Sequence, residues 1–343
     1  MTKRTTNIEV LRIVAMLMVM LIHTGFMSFG VPTASDMMEK PYLSSLIFSN
    51  MSLSTPCVNI FILISGWFGI KMKPNKIATL VFQTYFFSAI CTCIYLSITK
   101  KGISSDILFR FLLLNGEDYW FVKSYILLML FSPMINAYIE QTDSKNLFTF
   151  LTIFYLTQTI FGWVSIYGIS DFQGGYSVLS FIGLYVLGRL LKTYSGEKRF
   201  LNLKPKYYFS LFVAIAFLHF SMAILVTLYG LNISGRIFTY TSPLVIFQSV
   251  CILLAFTNMK PFFNNTINWV ANSCLAVYLF HANSLLLRPY YAKVIRDFFY
   301  NNNIYNAFVY TCTTIILIFT ISILIDKTRK YIWNKTAVIL KTK

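Results

Sequence analysis

The sequence predicts an all-α, polytopic integral membrane protein with about ten transmembrane helices and both termini in the cytoplasm. Three observations carry that prediction. The chain has 343 residues, of which 57% are hydrophobic and only 12% charged. A soluble domain carries roughly 25% charged residues, so this little charge cannot clothe a soluble surface of such size. Apolar runs long enough to cross a hydrocarbon core of about 30 Å recur along the whole chain. Lys and Arg concentrate in alternate loops between those runs, as the positive-inside rule requires.

The runs fall at approximately 8–29, 55–71, 77–98, 120–139, 147–168, 176–192, 207–229, 241–258, 267–287 and 304–325. The second has an alternative start near Tyr42, because 43–54 is itself moderately apolar. Lipid tolerates no exposed irregular backbone, so each run reads as a helix, and barrel-type alternation is absent. With the N-terminus inside, the inner segments hold eighteen Lys and Arg and the outer segments eight. The whole chain, 1–343, reads as one transmembrane domain, with 326–343 a basic cytoplasmic tail. Lys3 and Arg4 precede a long first run without a cleavage site, which reads as a retained signal-anchor helix. The net charge of +17 belongs to short loops beside lipid and does not point to nucleic acid. Six cysteines lie in or beside apolar runs without metal-ligand spacing, so no metal is expected.

Arg12 and His23 interrupt the first run, IEVLRIVAMLMVMLIHTGFMSFG. Eleven helical steps make about three turns, so the two side chains share one stripe, roughly 16 Å apart along the axis. The loop charges place Arg12 near the cytoplasmic surface and His23 toward the outer half. Ionisable groups at such depth are costly and suggest function. A neutral imidazole suits general-base work near pH 7. A guanidinium fork suits the phosphates of a cytoplasmic cofactor; the alternatives for Arg12 are an ion pair with Glu9 or snorkelling to headgroups. His281, in the ninth run, falls in the depth zone of His23, and the two either share a cavity or His281 bonds between helices. His219 has no polar company and reads as packing.

Other stretches add candidates. IFILISGWFGIKMKP places Ser65 and Gly66 where helices approach closely and ends in basic Lys71 and Lys73. SFIGLYVLGRLLK sets Gly183 and Gly188 beside Arg189, at a cytoplasmic end. Glu117, Asp118 and Trp120 open the fourth run at the outer interface, as helix-terminus acids and an aromatic anchor. Arg288 follows the ninth run outside and meets either an anionic group or a headgroup. The outer loops 30–54, 99–119 and 288–303 hold Tyr, Asn and charges suited to gripping a polar substrate. Walker, Rossmann, zinc-binding and nucleophile-elbow motifs are all missing.

Taken together, NIEVLRIVAMLMVMLIHTGF, FILISGWF, YWFVKSYILLMLFSPMIN, YVLGRLL and SCLAVYLFH resemble acyltransferase family 3, over roughly 7–325. Its members are bacterial inner-membrane enzymes that acylate surface glycans and other extracytoplasmic acceptors. The resemblance implies acyl-CoA, most simply acetyl-CoA, as cytoplasmic donor, His23 as catalytic residue and Arg12 in donor binding or catalysis. His281 falls at the ninth-run motif. Lys71, Lys73 and Arg189 are the further donor-binding candidates; Glu117, Asp118, Trp120 and Arg288 are the acceptor-side ones. The acceptor is a surface glycan or lipid-linked sugar. Transfer is either direct or completed by a separate extracytoplasmic protein, and a homo-oligomer is open. The competing class is a transporter of polysaccharide or lipid-linked sugar, which should show internal repeats and broken helices. No repeat is visible, although Pro133 and Pro243 are positioned to kink their helices.

Overall fold

The computed structural model describes residues 5–114, 118–165, 171–231 and 233–341, and no strand occurs among them. The helices are α1 (Thr6–Phe29), α2 (Ala34–Glu39), α3 (Pro41–Ser54), α4 (Cys57–Phe68), α5 (Pro74–Thr99), α6 (Ser105–Phe111), α7 (Trp120–Gln141) and α8 (Ser144–Thr157). They continue as α9 (Val178–Tyr194), α10 (Pro205–Leu228), α11 (Ser234–Ile237), α12 (Pro243–Thr257), α13 (Asn265–Ala271), α14 (Cys274–His281), α15 (Leu287–Asn301) and α16 (Ile304–Lys341). Four of them, α3, α5, α10 and α12, begin on a proline. The ring's fixed φ suits a first helical residue, whose N–H has no intrahelical partner in any case. Among the described residues, seven helical stretches are long and apolar enough to cross a membrane: Thr6–Phe29, Pro41–Phe68, Pro74–Thr99, Trp120–Gln141, Ser144–Val164, Pro205–Leu228 and Ile304–Lys335.

Several boundaries differ from the sequence reading, each for a local reason. The second crossing begins at Pro41 and runs through α3 and α4, so most of the expected loop 30–54 is helical. Pro56 interrupts it and has no N–H for the carbonyl of Ser52, four residues back. Gln248 Nε2 from α12 supplies that bond at 3.1 Å. Pro133 sits inside α7 and withholds the same bond from Met129; the hydroxyl of Ser132 donates there instead, at 2.8 Å. In a bilayer such substitutions let a proline remain within a span. The ninth run is not continuous but splits into α13 and α14. Lys327 Nζ donates to the carbonyl of Trp269 at 2.7 Å and Lys330 Nζ to that of Asn272 at 2.8 Å. These ammoniums satisfy carbonyls that a broken helix leaves open. Both lysines belong to α16, which continues as helix through the stretch expected as a tail.

The chain divides into two compact units. The first comprises Met1–Lys73 and Phe121–Asn264. In it α4 packs along α9, α10 along α12, and α1 against α3 and α4. The second comprises Pro74–Trp120 and Asn265–Lys343, with α14 packed on α16, α5 and α15. Cys91 is buried and Cys93 exposed, on different faces of α5, and the cysteines are unpaired thiols.

Candidate functional site

In the first unit, the start of α1 is lashed to the segment after α12. Asn7 Nδ2 donates to the carbonyls of Met259 and Lys260 at 3.0 and 3.1 Å, and its Oδ1 accepts from the Phe262 amide at 3.2 Å. Thr6 Oγ1 accepts from the Asn264 amide at 2.8 Å. These bonds fix the depth of Arg12, just over a turn further on. Arg12 Nη1 donates to Glu9 Oε1 at 2.6 Å, with the Glu9 carboxylate buried and the Arg12 side chain 29% exposed. The ion pair weighed from sequence is therefore present, and the protein leaves part of the guanidinium uncovered.

From Arg12 a polar tract leads into three neighbouring helices. The Arg12 charge acts on the Tyr125 hydroxyl of α7. That hydroxyl lies 3.1 Å from Ser65 Oγ of α4. Ser65 itself donates to the Phe61 carbonyl at 2.9 Å, which leaves Tyr125 as the donor between them. Further along, Tyr185 of α9 donates to Asn136 Oδ1 at 2.7 Å and accepts from the Ile70 amide at 2.8 Å. Asn136 Nδ2 closes the ring on the Ile70 carbonyl at 2.9 Å. The ring clamps the chain where it leaves α4, and Lys71 and Lys73 follow it, exposed.

Glycine makes this geometry possible. Gly69 ends α4 at φ +74°, a left-handed conformation. A Cβ there would stand 3.1 Å from Arg189 Nη1, so the Arg189 guanidinium lies over the exit from α4. A Cβ on Gly66 would run into the Tyr185 carbonyl, and one on Gly188 would lie 2.5 Å from the Leu63 carbonyl. Helices α4 and α9 thus touch backbone to backbone. Lys192 Nζ sits 5.1 Å above the Trp67 ring. Four of the residues named from sequence, Arg12, Arg189, Lys71 and Lys73, therefore border one tract. Tyr125, Tyr185 and Asn136 line it, and the sequence reading did not single them out. Tyr is abundant here, and an Asn one turn from a predicted inner helix end gave no periodic signal.

Levels along the helices are ordered. The rings of Phe61 and Phe121 lie 6.2 Å apart and those of Phe121 and Phe181 5.5 Å apart. Below them come Ser65 with Tyr125, then Ile70 with Asn136 and Tyr185. Helices α4, α7 and α9 therefore run in the same direction.

His23 stands eleven residues beyond Arg12 on α1 and is half-buried. Behind it, on the opposite side of the helix, Asn50 Nδ2 of α3 donates to the Leu21 carbonyl at 2.5 Å. Ser54 Oγ donates to Asn50 Oδ1 at 3.2 Å and so orients the amide. Gly25 leaves the room: a Cβ there would sit 3.0 Å from Asn50 Nδ2. Sequence reasoning left Asn50 in a loop and did not name it. His219 is buried with its ring 6.1 Å from that of Phe238.

The second unit holds the remaining candidates. His281 ends α14, fully buried, with Nδ1 2.5 Å from the Val277 carbonyl and its ring near those of Tyr278 and Tyr291. Tyr119 donates to the Leu279 carbonyl at 2.7 Å and accepts from Asn283 Nδ2 at 3.0 Å. Asn283 also accepts from the amides of Leu285, Leu286 and Arg288. Asp118, beside Tyr119, is buried 3.8 Å from Arg110 Nη1. The same nitrogen donates to Ser284 Oγ at 3.0 Å, and Arg110 Nε pairs with Asp106 at 3.0 Å. Asp118 and the turn leading to Arg288 are thus joined through Arg110, a residue the sequence reading passed over. Trp120 opens α7, half-buried. Glu117, Lys3 and Arg4 lie outside the described residues.

The family model described as an acyltransferase domain, acyltransferase 3, matches residues 5–326. No curated protein and no solved structure matches the chain. The matched span opens on the first turn of α1, takes in Arg12, His23 and His281, and closes in α16 at Asp326. The chain belongs to the acyltransferase 3 family, and with seven helical stretches among the described residues long and apolar enough to cross a bilayer it is a multi-pass membrane acyltransferase.

Proposed function

We propose that the protein is an O-acyltransferase, most simply an O-acetyltransferase, of a bacterial cytoplasmic membrane. It moves the acyl group of cytoplasmic acyl-CoA to a hydroxyl of an extracytoplasmic or lipid-linked glycan. The observation that carries the reading is the set of polar side chains between Arg12 and Arg189 at one end of the Arg12–His23 stripe. Ten crossings with both termini inside give the stripe its direction. The donor's phosphates meet Arg12, Arg189, Lys71 and Lys73, and the pantetheine arm runs along α1 toward His23. His23 takes the proton of the acceptor hydroxyl as its oxygen attacks the acyl carbon. The carbon–sulfur bond breaks and CoA leaves with the proton. In the alternative order the acyl group passes first to the His23 ring and then to the hydroxyl. Asp118, Trp120 and Arg288, with Glu117, serve the acceptor side, and His281 supports it.

The transporter reading expected a broken helix, and α13–α14 is one. Lys327 and Lys330 fill that break, however, and the family is one of acyltransferases. The test is label transfer from radioactive acetyl-CoA by the purified protein and its His23→Ala variant. A general base contributes about 10²–10⁴ in rate, so the variant should lose at least a hundredfold. Transfer at the wild-type rate would remove His23 from the reaction.

A further inference from the structure

The first unit contains buried polar atoms that the Arg12–His23 tract does not use. Asn59 Oδ1 of α4, Ser242 Oγ at the start of α12, Tyr155 Oη in α8 and Gln158 Oε1 just beyond it find no hydrogen-bond partner among the described residues. Asn59, Ser242 and Gln158 are each at most 2% exposed. Buried polar atoms are nearly always bonded, so an orphaned group of them calls for a partner.

One piece of chain, Thr239–Ser242, carries Ser242 itself and is bonded to Asn59 and to the stretch that carries Gln158. Asn59 Nδ2 donates to the Tyr240 carbonyl at 3.0 Å, which brings its Oδ1 to this segment and fixes the amide's orientation. Thr241 Oγ1 donates to the Gly162 carbonyl at 3.4 Å. Gly162 is one turn beyond Gln158 in the π-helical stretch Gln158–Val164, and such widened turns recur at functional sites. Ser242 holds the N-cap position of α12, where a serine ordinarily accepts from an amide of the first turn. Here it caps nothing, and Pro243 follows it.

The chemistry of the set is selective. Asn59 Oδ1 and Gln158 Oε1 only accept; the hydroxyls of Ser242 and Tyr155 accept or donate. A partner must bring hydroxyl or amide hydrogens, which an anion does not. Asn59 stands six residues from Ser65 along α4, about 9 Å. Because α1 runs opposite to α3 and α4, that level falls between Arg12 and His23.

We infer that Asn59, Ser242 and Gln158 form a polar seat for a hydroxyl-rich ligand, the sugar ring that accepts the acyl group. The word acceptor rests on the acyl-transfer reading; the seat itself does not. The donor's pantetheine arm also carries a hydroxyl and amides, so the two sources must be told apart.

The test uses the full chain in detergent, with Ser242→Ala and Gln158→Leu as variants. Ser242→Ala deletes an atom that bonds nothing among the described residues, so its thermal stability should hold or rise. The probes are the methyl glycosides of glucose, galactose and N-acetylglucosamine and, separately, acetyl-CoA. At least one glycoside should raise the wild-type Tm, by on the order of 3 °C at tenfold excess over Kd. The variants should bind that glycoside about three- to tenfold more weakly and acetyl-CoA unchanged. Four outcomes overturn the seat as an acceptor site: no glycoside stabilises the wild type, the variants keep the full shift, Ser242→Ala lowers the Tm without ligand, or only the acetyl-CoA response is lost. The last assigns the atoms to the donor's arm. Binding is read without turnover, so glycoside binding without label transfer would fault the acyl-transfer reading and leave the seat standing.

Discussion

At the scale of single residues, the Glu9–Arg12 pair decides how Arg12 can be tested. Glu9 is buried, so Arg12→Ala removes a cation from a carboxylate that water does not reach. Arg12 is partly exposed, which tempers the loss to about 1–3 kcal/mol. Glu9→Gln combined with Arg12→Ala should restore much of that stability. It should not restore the KM for acyl-CoA, which we expect to rise at least tenfold in both forms. Denaturation and donor titration of the two variants separate the roles; recovery of KM in the double variant would make Arg12 structural only. Arg12 and His23 were legible in the sequence because charge within an apolar run is conspicuous. Asn50, Tyr125 and Asn136 were not, because a polar residue acquires meaning in a membrane helix only from the neighbour it meets.

At the scale of elements, the breaks in helices show how side chains replace missing backbone bonds. In the second unit, Asp326 of α16 is fully buried, bonded to Arg329 at 2.7 Å, to Lys330 at 3.0 Å and to Gln83 of α5 at 3.1 Å. Asp326→Asn leaves Arg329, 2% exposed, without its anion, and should cost about 3 kcal/mol. A Tm within a degree of wild type would contradict that. Lys330→Ala should loosen the α13–α14 break, read as faster amide exchange around Ser273. Helix α2 offers a pH test. Its capping box joins Thr33 and Asp36, and the Thr33 hydroxyl and amide, with Lys40, hold the Asp36 carboxyl below its ordinary value. A depressed carboxylate stabilises above its unfolded pKa near 3.8 and loses that contribution as pH falls through the folded value. Protease resistance of residues 33–40 should therefore stay flat from about pH 8 to 5 and fall only in stronger acid. Asp36→Asn should cut it throughout.

At the scale of the whole molecule, orientation determines which side meets donor and which meets acceptor. A fluorescent reporter fused after Lys343 should light in the cytoplasm, and a phosphatase inserted at Gly102 should be active outside. The reverse pattern would exchange the two sides and dismantle the proposed path from Arg12 to His23. Helices α4, α7 and α9, parallel within the first unit, fall in the second, fourth and sixth apolar runs.

The sequence by itself determined the class of the molecule: a helical membrane protein, most of its apolar runs, the family, and the stripe from Arg12 to His23. Those follow from composition, run length and helical periodicity, which are local quantities. Tertiary structure decided where α3 and α4 form one interrupted crossing, why the ninth run breaks, and which polar residues lie between Arg12 and Arg189. It also decided that the segment Thr239–Ser242 is bonded to Asn59 and to the stretch that carries Gln158. These depend on hydrogen bonds between residues far apart in sequence, 181 positions for Asn59 with Tyr240 and 196 for Ser52 with Gln248. Hydropathy along a single helix carries no record of them, because in lipid a polar atom is satisfied by whichever helix packs beside it.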